Sequence, residues 1–214
     1  MSENKPINFC CVFYGNKYEI RYVQHLYNMV KRNLTIPFNF IVFTDHVKLA
    51  KLLIGDITVK QFKRHDFEGW WNKIQLFSPE SELEGVNFYL DLDVVILDNI
   101  DCFIEWGDDK TFGITNDFGQ PNNWYNSSVM KFNNEVTTPA IWDKFMSDRV
   151  QWLRLQGDQN VITELMRKSD HLKPFPDDWT FSYKWFSRKV PRFSKQKWTF
   201  EKDPNAKVCV FHGR

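Results

Sequence analysis

The sequence predicts an α/β protein with a mostly parallel central sheet flanked by helices. In the first half of the chain, apolar runs typical of buried strands alternate with amphipathic segments, as expected for strand–helix–strand units. One of these runs, Val86–Leu90, ends abruptly in two carboxylates, Asp91 and Asp93. Because ligands bind at the carboxyl ends of strands in open α/β sheets, this position also predicts a binding site.

The first half of the chain opens with Ile7–Tyr14, a buried-type run that stops at the turn signal Gly15-Asn16. Apolar residues between Tyr18 and Asn33 recur on one helical face, which predicts a helix. Further along, the pattern predicts strands at Phe38–Thr44 and Ile57–Gln61, helices at Val47–Leu53 and Trp70–Phe77, and a strand carrying the two aspartates.

The second half has a more mixed pattern, and no linker or internal repeat divides it from the first. Asp117–Trp124 is rich in Asn, Gly and Pro and predicts a loop, whereas Pro174–Lys207 has weak periodicity. The pattern predicts strands at Thr111–Thr115, Ser127–Phe132 and Val208–Phe211 and helices at Pro139–Leu155 and Asp158–Lys168. We expect one domain, residues 1–214, that forms part of a longer protein.

Composition excludes several classes of function. Lys and Arg total 28 against 27 acidic residues, and no basic stripe indicates nucleic-acid binding. No signal peptide and no apolar run of membrane-spanning length is present, so we expect a soluble, cytoplasmic protein without membrane insertion. Four cysteines without CxxC spacing favour core thiols over disulfides or a zinc site.

The aspartate pair predicts a metal site. On an extended chain, Asp91 and Asp93 would point to the same side. Two hard oxygen ligands that converge there suit Mg²⁺ or Mn²⁺ holding a phosphate group. The structural alternative is a strand end whose Asp side chains accept hydrogen bonds from nearby backbone N–H groups.

Aromatic residues are unusually frequent, at 36 of 214, and nine of them are Trp. Most are expected to fill the core. Some lie beside polar or turn residues, as in Trp70-Trp71, and sugar C–H faces stack on such rings, so a carbohydrate cleft is a second use for them.

Four motifs together resemble the GT-A nucleotide-sugar glycosyltransferases, most closely the retaining family that contains glycogenin and bacterial galactosyltransferases. Asp91-Leu92-Asp93 matches the family's metal motif within YLDxD, and Tyr125–Asn133 resembles its FNAGVLLFN strand. Gly157–Asn160 resembles its DQD helix start, and Val210–Gly213 resembles the strand that supplies a metal-binding histidine. The overall likeness extends to glycosyltransferases of large DNA viruses and phages, for which the location would be the host cytoplasm.

The chain also departs from the family pattern. Ser127-Ser128 replaces the usual Ala-Gly, and Asn160 replaces the second Asp of DQD. The Lys-Pro-Trp that follows the family's C-terminal histidine motif is missing. By resemblance, residues 1–100 form the nucleotide-binding half and residues 101–214 the acceptor-side half.

The resemblance implies that Asp91, Asp93 and His212 bind the metal. An imidazole beside two carboxylates shifts the preference toward Mn²⁺, with Mg²⁺ as the alternative, and the metal stabilises the departing diphosphate. A solvated histidine is the other interpretation of His212. Lys73 stands where the family has a basic residue that faces the donor phosphate or sugar, and an exposed helical lysine is its alternative.

Further donor contacts follow from the family's nucleotide site. Tyr14, Asn16 and Tyr18 follow the first strand, where the fold holds the base and ribose. Thr44 and Asp45 close the second strand and are candidates to contact the uracil edge. Ordinary turn chemistry would also explain these five residues.

The sugar side is assigned to Asp117, Asn126, Asp158 and Gln159. By resemblance, Gln159 lies below the anomeric carbon and Asp158 binds sugar hydroxyls, although Asp158 also suits a helix N-cap. A retaining enzyme needs no dedicated base because the leaving phosphate accepts the acceptor's proton. An inverting enzyme would need Asp117 or Asp158 as the base.

The sequence therefore predicts transfer of a hexose or deoxyhexose from a UDP-sugar to a glycan or other hydroxyl acceptor. The alternative enzyme class is a phosphatase of the haloacid dehalogenase type, whose DxDx[TV] motif is satisfied by Asp91–Val95 and whose later acidic pair would be Asp177-Asp178. A binding module that has lost catalysis is the third alternative.

Overall fold

The computed structural model describes residues 7–119, 123–184 and 205–211. Within these ranges the strands are β1 (Ile7–Phe13), β2 (Phe38–Thr44), β3 (Ile57–Gln61), β4 (Val86–Leu90), β5 (Val94–Ile96), β6 (Gly113–Asn116), β7 (Tyr125–Asn133), β8 (Thr180–Ser182) and β9 (Val208–Val210). The α-helices are α1 (Arg21–Asn33), α2 (Val47–Ala50), α3 (Asp101–Glu105), α4 (Asn134–Thr137), α5 (Asp143–Ser147), α6 (Arg149–Trp152) and α7 (Asp158–Met166).

Six strands form the central sheet in the order β3-β2-β1-β4-β7-β6. Strands β3, β2, β1 and β4 are mutually parallel, whereas β7 is antiparallel to both of its neighbours, β4 and β6. Five strands thus run one way and β7 runs the other. The prediction of an α/β fold with a mostly parallel sheet is confirmed.

Both faces of this sheet are covered, which is why its inner strands β1 and β2 have largely apolar runs instead of alternation. On one face, α1 packs its buried residues Val23, Leu26, Tyr27 and Val30 in a cluster with side chains of β1, β2 and β4. On the other face, α5, α7 and the segment before β4 pack against the alternate residues of the same strands.

A smaller sheet, in the order β5-β9-β8, adjoins the first. Strand β5 pairs antiparallel with β9, and its residues Val94 and Ile96 belong to the α1 side of the core. Because β5 starts immediately after the aspartate pair, the pair lies where the chain leaves one sheet for the other.

The expectation that a single extended strand carries both aspartates was wrong. Strand β4 ends at Leu90, and residues 91–93 form a turn before β5. A continuous strand could not pair with β7 in one sheet and with β9 in another without such a turn. The aspartates are therefore oriented by tertiary contacts and not by strand alternation.

Several predicted helices are shorter or of another type. Helix α1 begins at Arg21, the segment from Val47 is helical only to Ala50, and α7 ends at Met166. Gly69–Phe77 is a 3₁₀ helix of nine residues, which is long for this type of helix. The predicted helix Pro139–Leu155 is broken into a π-turn at Thr138–Trp142 followed by α5 and α6, and the Asp148 side chain caps the start of α6.

No helix among the described residues combines the length and apolarity needed to cross a membrane. The four cysteines are free thiols, of which Cys10, Cys11 and Cys209 are buried. Burial raises the pKa of the Cys209 thiol to about 12, so this thiol stays protonated at neutral pH. The prediction of core thiols is confirmed for the three buried cysteines, whereas Cys102 is only half-buried.

Candidate active site

A cleft of about 620 Å³ opens at one edge of the central sheet. Strands β1, β4 and β6 end at this edge, and β7 begins there because it runs in the opposite direction. The cleft brings together nine of the predicted site residues, namely Tyr14, Tyr18, Lys73, Asp91, Asp93, Asp117, Asn126, Asp158 and Gln159.

Asp91 is held by a cation and two hydroxyls. Its Oδ1 accepts a hydrogen bond from Tyr89 Oη at 2.5 Å and lies 3.0 Å from Lys73 Nζ. Burial acts to raise the pKa of Asp91, but Lys73 and the hydroxyls of Tyr89 and Ser128 outweigh it and lower the pKa below its usual value. Asp91 is therefore charged at neutral pH, and 24% of its side chain remains exposed.

Lys73 connects this carboxylate to a second one. Its Nζ lies 3.1 Å from Asp158 Oδ2 and donates to Ser127 Oγ at 3.0 Å and to the Ser127 carbonyl at 3.3 Å. Burial acts to lower the pKa of Lys73, but Asp158 and Asp91 outweigh it and raise the pKa. The predicted alternative of an exposed helical lysine is wrong, since only 8% of the side chain is exposed.

An ammonium group has three N–H donors. Those of Lys73 are engaged by Asp91, Asp158 and Ser127, so the protein itself already satisfies this cation. In this structure Lys73 is a bridge between two carboxylates. Contact with a donor phosphate, which the sequence predicted, would require it to release one of these partners.

Asp93 has a different environment. Its Oδ2 accepts a hydrogen bond from Tyr18 Oη at 2.6 Å, and Lys17 Nζ lies 3.7 Å away on a side chain that is 74% exposed. Burial and the charge of Asp91 raise the pKa of Asp93, despite the opposing effect of Tyr18 and Lys17. Two carboxylates that repel each other, both about a quarter exposed, form a donor set that a divalent cation would relieve.

A hydrogen-bonded chain of three further side chains also lines the cleft. Gln159 Nε2 donates to Asp117 Oδ2 at 2.9 Å, and Gln159 Oε1 accepts from Asn126 Nδ2 at 3.2 Å. Asn126 Oδ1 in turn accepts from the Ser128 backbone N–H. Both ends of the Gln159 amide are thereby fixed in orientation.

Asp158 is the first residue of α7, and Gly157 is the N-cap. The Asp158 side chain makes no capping bond; its Oδ2 accepts from Ser127 Oγ at 2.8 Å and pairs with Lys73. The alternative interpretation of Asp158 as an N-cap is therefore wrong.

Three predicted nucleotide contacts do not line this cleft. Thr44 is fully buried, and its Oγ1 accepts from the His46 N–H. Asp45 accepts from the Gly15 N–H at 3.3 Å, which fits the turn chemistry that was the alternative. Asn16 is not among the lining residues, and His212 lies outside the described residues.

A second groove of about 930 Å³ adjoins the cleft. The two share Lys17, Tyr18, Trp70, Leu92 and Asp93 as lining residues. The rest of the groove is formed mainly by α1 and by β5. Asp93 thus lies at the boundary of two adjoining spaces.

Sequence reasoning assigned no role to four polar residues of the cleft that contact the predicted site residues. Tyr89 precedes Asp91 by two positions, and a phenol hydroxyl at that spacing could have indicated a hydrogen-bond donor to the Asp91 carboxylate. Ser127 and Ser128 were noted only as departures from the family pattern. Lys17 gave no signal, because its proximity to Asp93 depends on how the loop after β1 folds.

Sequence comparison finds no matching family model and no significantly similar curated protein. Solved structures do match in fold. An active-site glutamine-to-glutamate mutant of LgtC superposes with a TM-score of 0.68 at 14% identity, covering 97% of this chain and 88% of that one. The galactosyltransferase LgtC in complex with donor and acceptor sugar analogues gives a TM-score of 0.65 at 14% identity, covering 96% of this chain and 87% of that one.

The glycosyltransferase GlyE of Streptococcus pneumoniae TIGR4 matches with a TM-score of 0.66 at 13% identity over 98% of this chain and 55% of its own. These matches show that the chain has the GT-A fold, and the fold implied by the sequence resemblance is confirmed. At this level of identity, they establish the fold alone.

The structure gives no support to the phosphatase alternative. Asp177 and Asp178 lie in a short 3₁₀ turn and are not among the residues that line the cleft with Asp91. Asp177 accepts from Asn116 at 2.7 Å and Asp178 accepts from Asn205 at 2.9 Å. The acidic pair that such a mechanism needs is thus engaged elsewhere.

Proposed function

We propose that the protein is a metal-dependent glycosyltransferase that moves a hexose or deoxyhexose from a UDP-sugar to a glycan or other hydroxyl acceptor, with retention of configuration. The observation that carries the proposal is the convergence of nine predicted donor-site residues in one cleft of a GT-A fold. These residues come from six separate stretches of sequence, so local sequence pattern alone does not bring them together.

Asp91 and Asp93 are the proposed metal ligands among the described residues, and His212 remains a predicted third. Their charged, partly exposed carboxylates fit Mn²⁺ or Mg²⁺. When bound, the ion would supply Lewis-acid stabilisation of the leaving diphosphate. Tyr18 and Lys17 set the position of Asp93, and Lys73 sets that of Asp91.

The sugar side of the proposal assigns hydroxyl recognition to Asp158 and places Gln159 at the anomeric centre. The amide of Gln159 is oriented by Asp117 and Asn126, which limits reorganisation during the reaction. Retention needs no protein base, because a phosphate oxygen of the leaving group accepts the acceptor's proton. That LgtC has an active-site glutamine and forms a complex with donor and acceptor sugar analogues supports this assignment.

The division into a nucleotide half, residues 1–100, and an acceptor-side half, residues 101–214, is part of the same proposal. Tyr14, Tyr18 and the aspartate pair come from the first part, and Asn126 and Gln159 from the second. The adjoining groove at Asp93 offers further space for a bound substrate.

A thermal-shift screen of nucleotide sugars with and without Mn²⁺ tests the proposal. Ligands that bind the native state raise Tm by mass action, so we expect a UDP-sugar to raise Tm only when Mn²⁺ is present. The same pair should then release UDP. Asp93→Ala should abolish this release, whereas Asp170→Ala, an exposed aspartate outside the cleft, should leave it unchanged.

Two results would contradict the proposal. Release of UDP at the native rate by Asp93→Ala would reject the metal role. Binding of UDP-sugar without Mn²⁺-dependent transfer or hydrolysis would instead favour a binding module. A separate titration addresses His212, for which His212→Ala should weaken Mn²⁺ binding with little loss of stability.

A further inference from the structure

We infer that Ser127 is a positioning residue that sets the orientation of the Asp158 carboxylate and thereby the selection of the donor sugar. The inference rests on the proposed function, since it assigns a role within the same cleft. Ser127 stands where the resembling family has Ala, so the hydroxyl is a feature of this chain.

The Ser127 hydroxyl both donates and accepts a hydrogen bond within the buried cluster. Its Oγ donates to Asp158 Oδ2 at 2.8 Å and accepts from Lys73 Nζ at 3.0 Å. The residue is 3% exposed, and the side chains of Lys73 and Asp158 are each 8% exposed. Hydrogen bonds to charged groups in such a setting are stronger than those between neutral groups.

A β-bulge explains why Ser127 reaches this cluster. Opposite β6, the pairing jumps from Ile114↔Met130 to Thr115↔Asn126, so residues 127–129 have no partner in β6. Consecutive side chains of a regular strand point to opposite faces, but here Ser127 contacts Lys73 while Ser128 contacts Asp91. A bulge re-aims side chains in this way and is frequent beside active sites.

The contacts of Asp158 with Ser127 and Lys73 both use Oδ2. With Oδ2 fixed, the rotation of the carboxylate is restricted, and with respect to residues 7–119, 123–184 and 205–211, Oδ1 is the oxygen left to accept a hydrogen bond from a sugar hydroxyl. Without the Ser127 hydroxyl, Lys73 alone holds Oδ2, and the carboxylate gains rotational freedom. We therefore expect Ser127 to affect recognition of the hexose and not of the nucleotide.

The test compares dissociation constants for UDP, UDP-glucose and UDP-galactose in Mn²⁺ buffer, measured by calorimetry. For the hexose that the native protein binds, Ser127→Ala should raise the ratio of Kd for the UDP-sugar to Kd for UDP about tenfold. The Kd for UDP should stay within about twofold of the native value. Ser127→Thr, which keeps the hydroxyl, should restore the ratio.

Ser81→Ala is the matched control, because Ser81 is also buried and its Oγ accepts two hydrogen bonds far from the cleft. It should leave the ratio unchanged. A ratio for Ser127→Ala equal to that of the native protein, or equal weakening of UDP and UDP-sugar, would overturn the inference while the proposed function stands. If the native protein binds neither UDP nor a UDP-sugar, both the inference and the proposed function are overturned. This outcome is seen before any variant is made.

Discussion

The two aspartates of the Asp91-Leu92-Asp93 turn differ in the cations that accompany them. Asp91 is paired with Lys73, a buried cation that also binds Asp158. Asp93 is paired at a longer distance with Lys17, which is mostly exposed to solvent. Burial acts to raise the pKa of both carboxyl groups, yet the pKa of Asp91 is lowered and that of Asp93 is raised.

Two residues of one short motif thus have different electrostatic surroundings. Asp91 belongs to a charge-paired cluster that contributes to the stability of the folded protein. Asp93 carries an incompletely compensated charge, which makes it the more available of the two for a bound cation.

The largest expected effect is the removal of the buried cation. Lys73→Met leaves Asp91 and Asp158 without their shared partner and should lower the free energy of unfolding by about 3 kcal/mol, since breaking a buried ion pair leaves charge uncompensated. Urea denaturation measures this change. Lys17→Met, the matching substitution on the Asp93 side, should change it by less than about 0.5 kcal/mol. Equal losses of unfolding free energy in the two variants would contradict the proposed difference between the two lysines.

The next largest expected effect is a difference in stability between variants of the two aspartates, measured in metal-free protein at pH 7. Asp91→Asn removes the charge that pairs with Lys73 and should reduce the free energy of unfolding by about 2 kcal/mol. Asp93→Asn removes a charge that the folded state disfavours and should increase stability by less than about 1 kcal/mol. Thermal unfolding of both variants in EDTA would show opposite signs, and a loss of stability in both would contradict the comparison.

The smallest effect is a pH dependence that has opposite signs at the two positions. A raised folded pKa means that the folded state holds the Asp93 proton more tightly, so this group destabilises the native protein as pH rises above about 4, the unfolded value. The advantage of Asp93→Asn should therefore appear above pH 4 and vanish below it.

For Asp91 the folded pKa is lowered, so its contribution is present above about pH 4 and is lost as pH falls through the folded value. The penalty of Asp91→Asn should accordingly shrink in acid. Tm values of the native protein and both variants between pH 3 and pH 7 measure these trends. Parallel curves for the two variants would exclude the assigned pKa directions.

The sequence predicted the strands of the central sheet, because the buried ones such as β1 and β2 have largely apolar runs, but it did not predict β8. Phe38–Thr44 and Ile57–Gln61 have the bounds that were expected. Helix ends were less accurate, as in the region 139–155, because a π-helix and a capping aspartate interrupt a segment whose polar and apolar residues alternate as in one helix. The residue types of the site were identified by motif, while their partners were not.

By itself, the sequence determined the α/β class, the position of the aspartate pair at the end of a strand, and nine of the residues that line the cleft. Only the tertiary structure decided that Lys73 faces inward and that Ser127 joins it to Asp158. The physical reason is that hydrophobic periodicity is a local property that specifies strands and helices. The pairing of buried charges depends instead on which distant segments meet, and here a turn after β4 and a bulge in β7 bring them together.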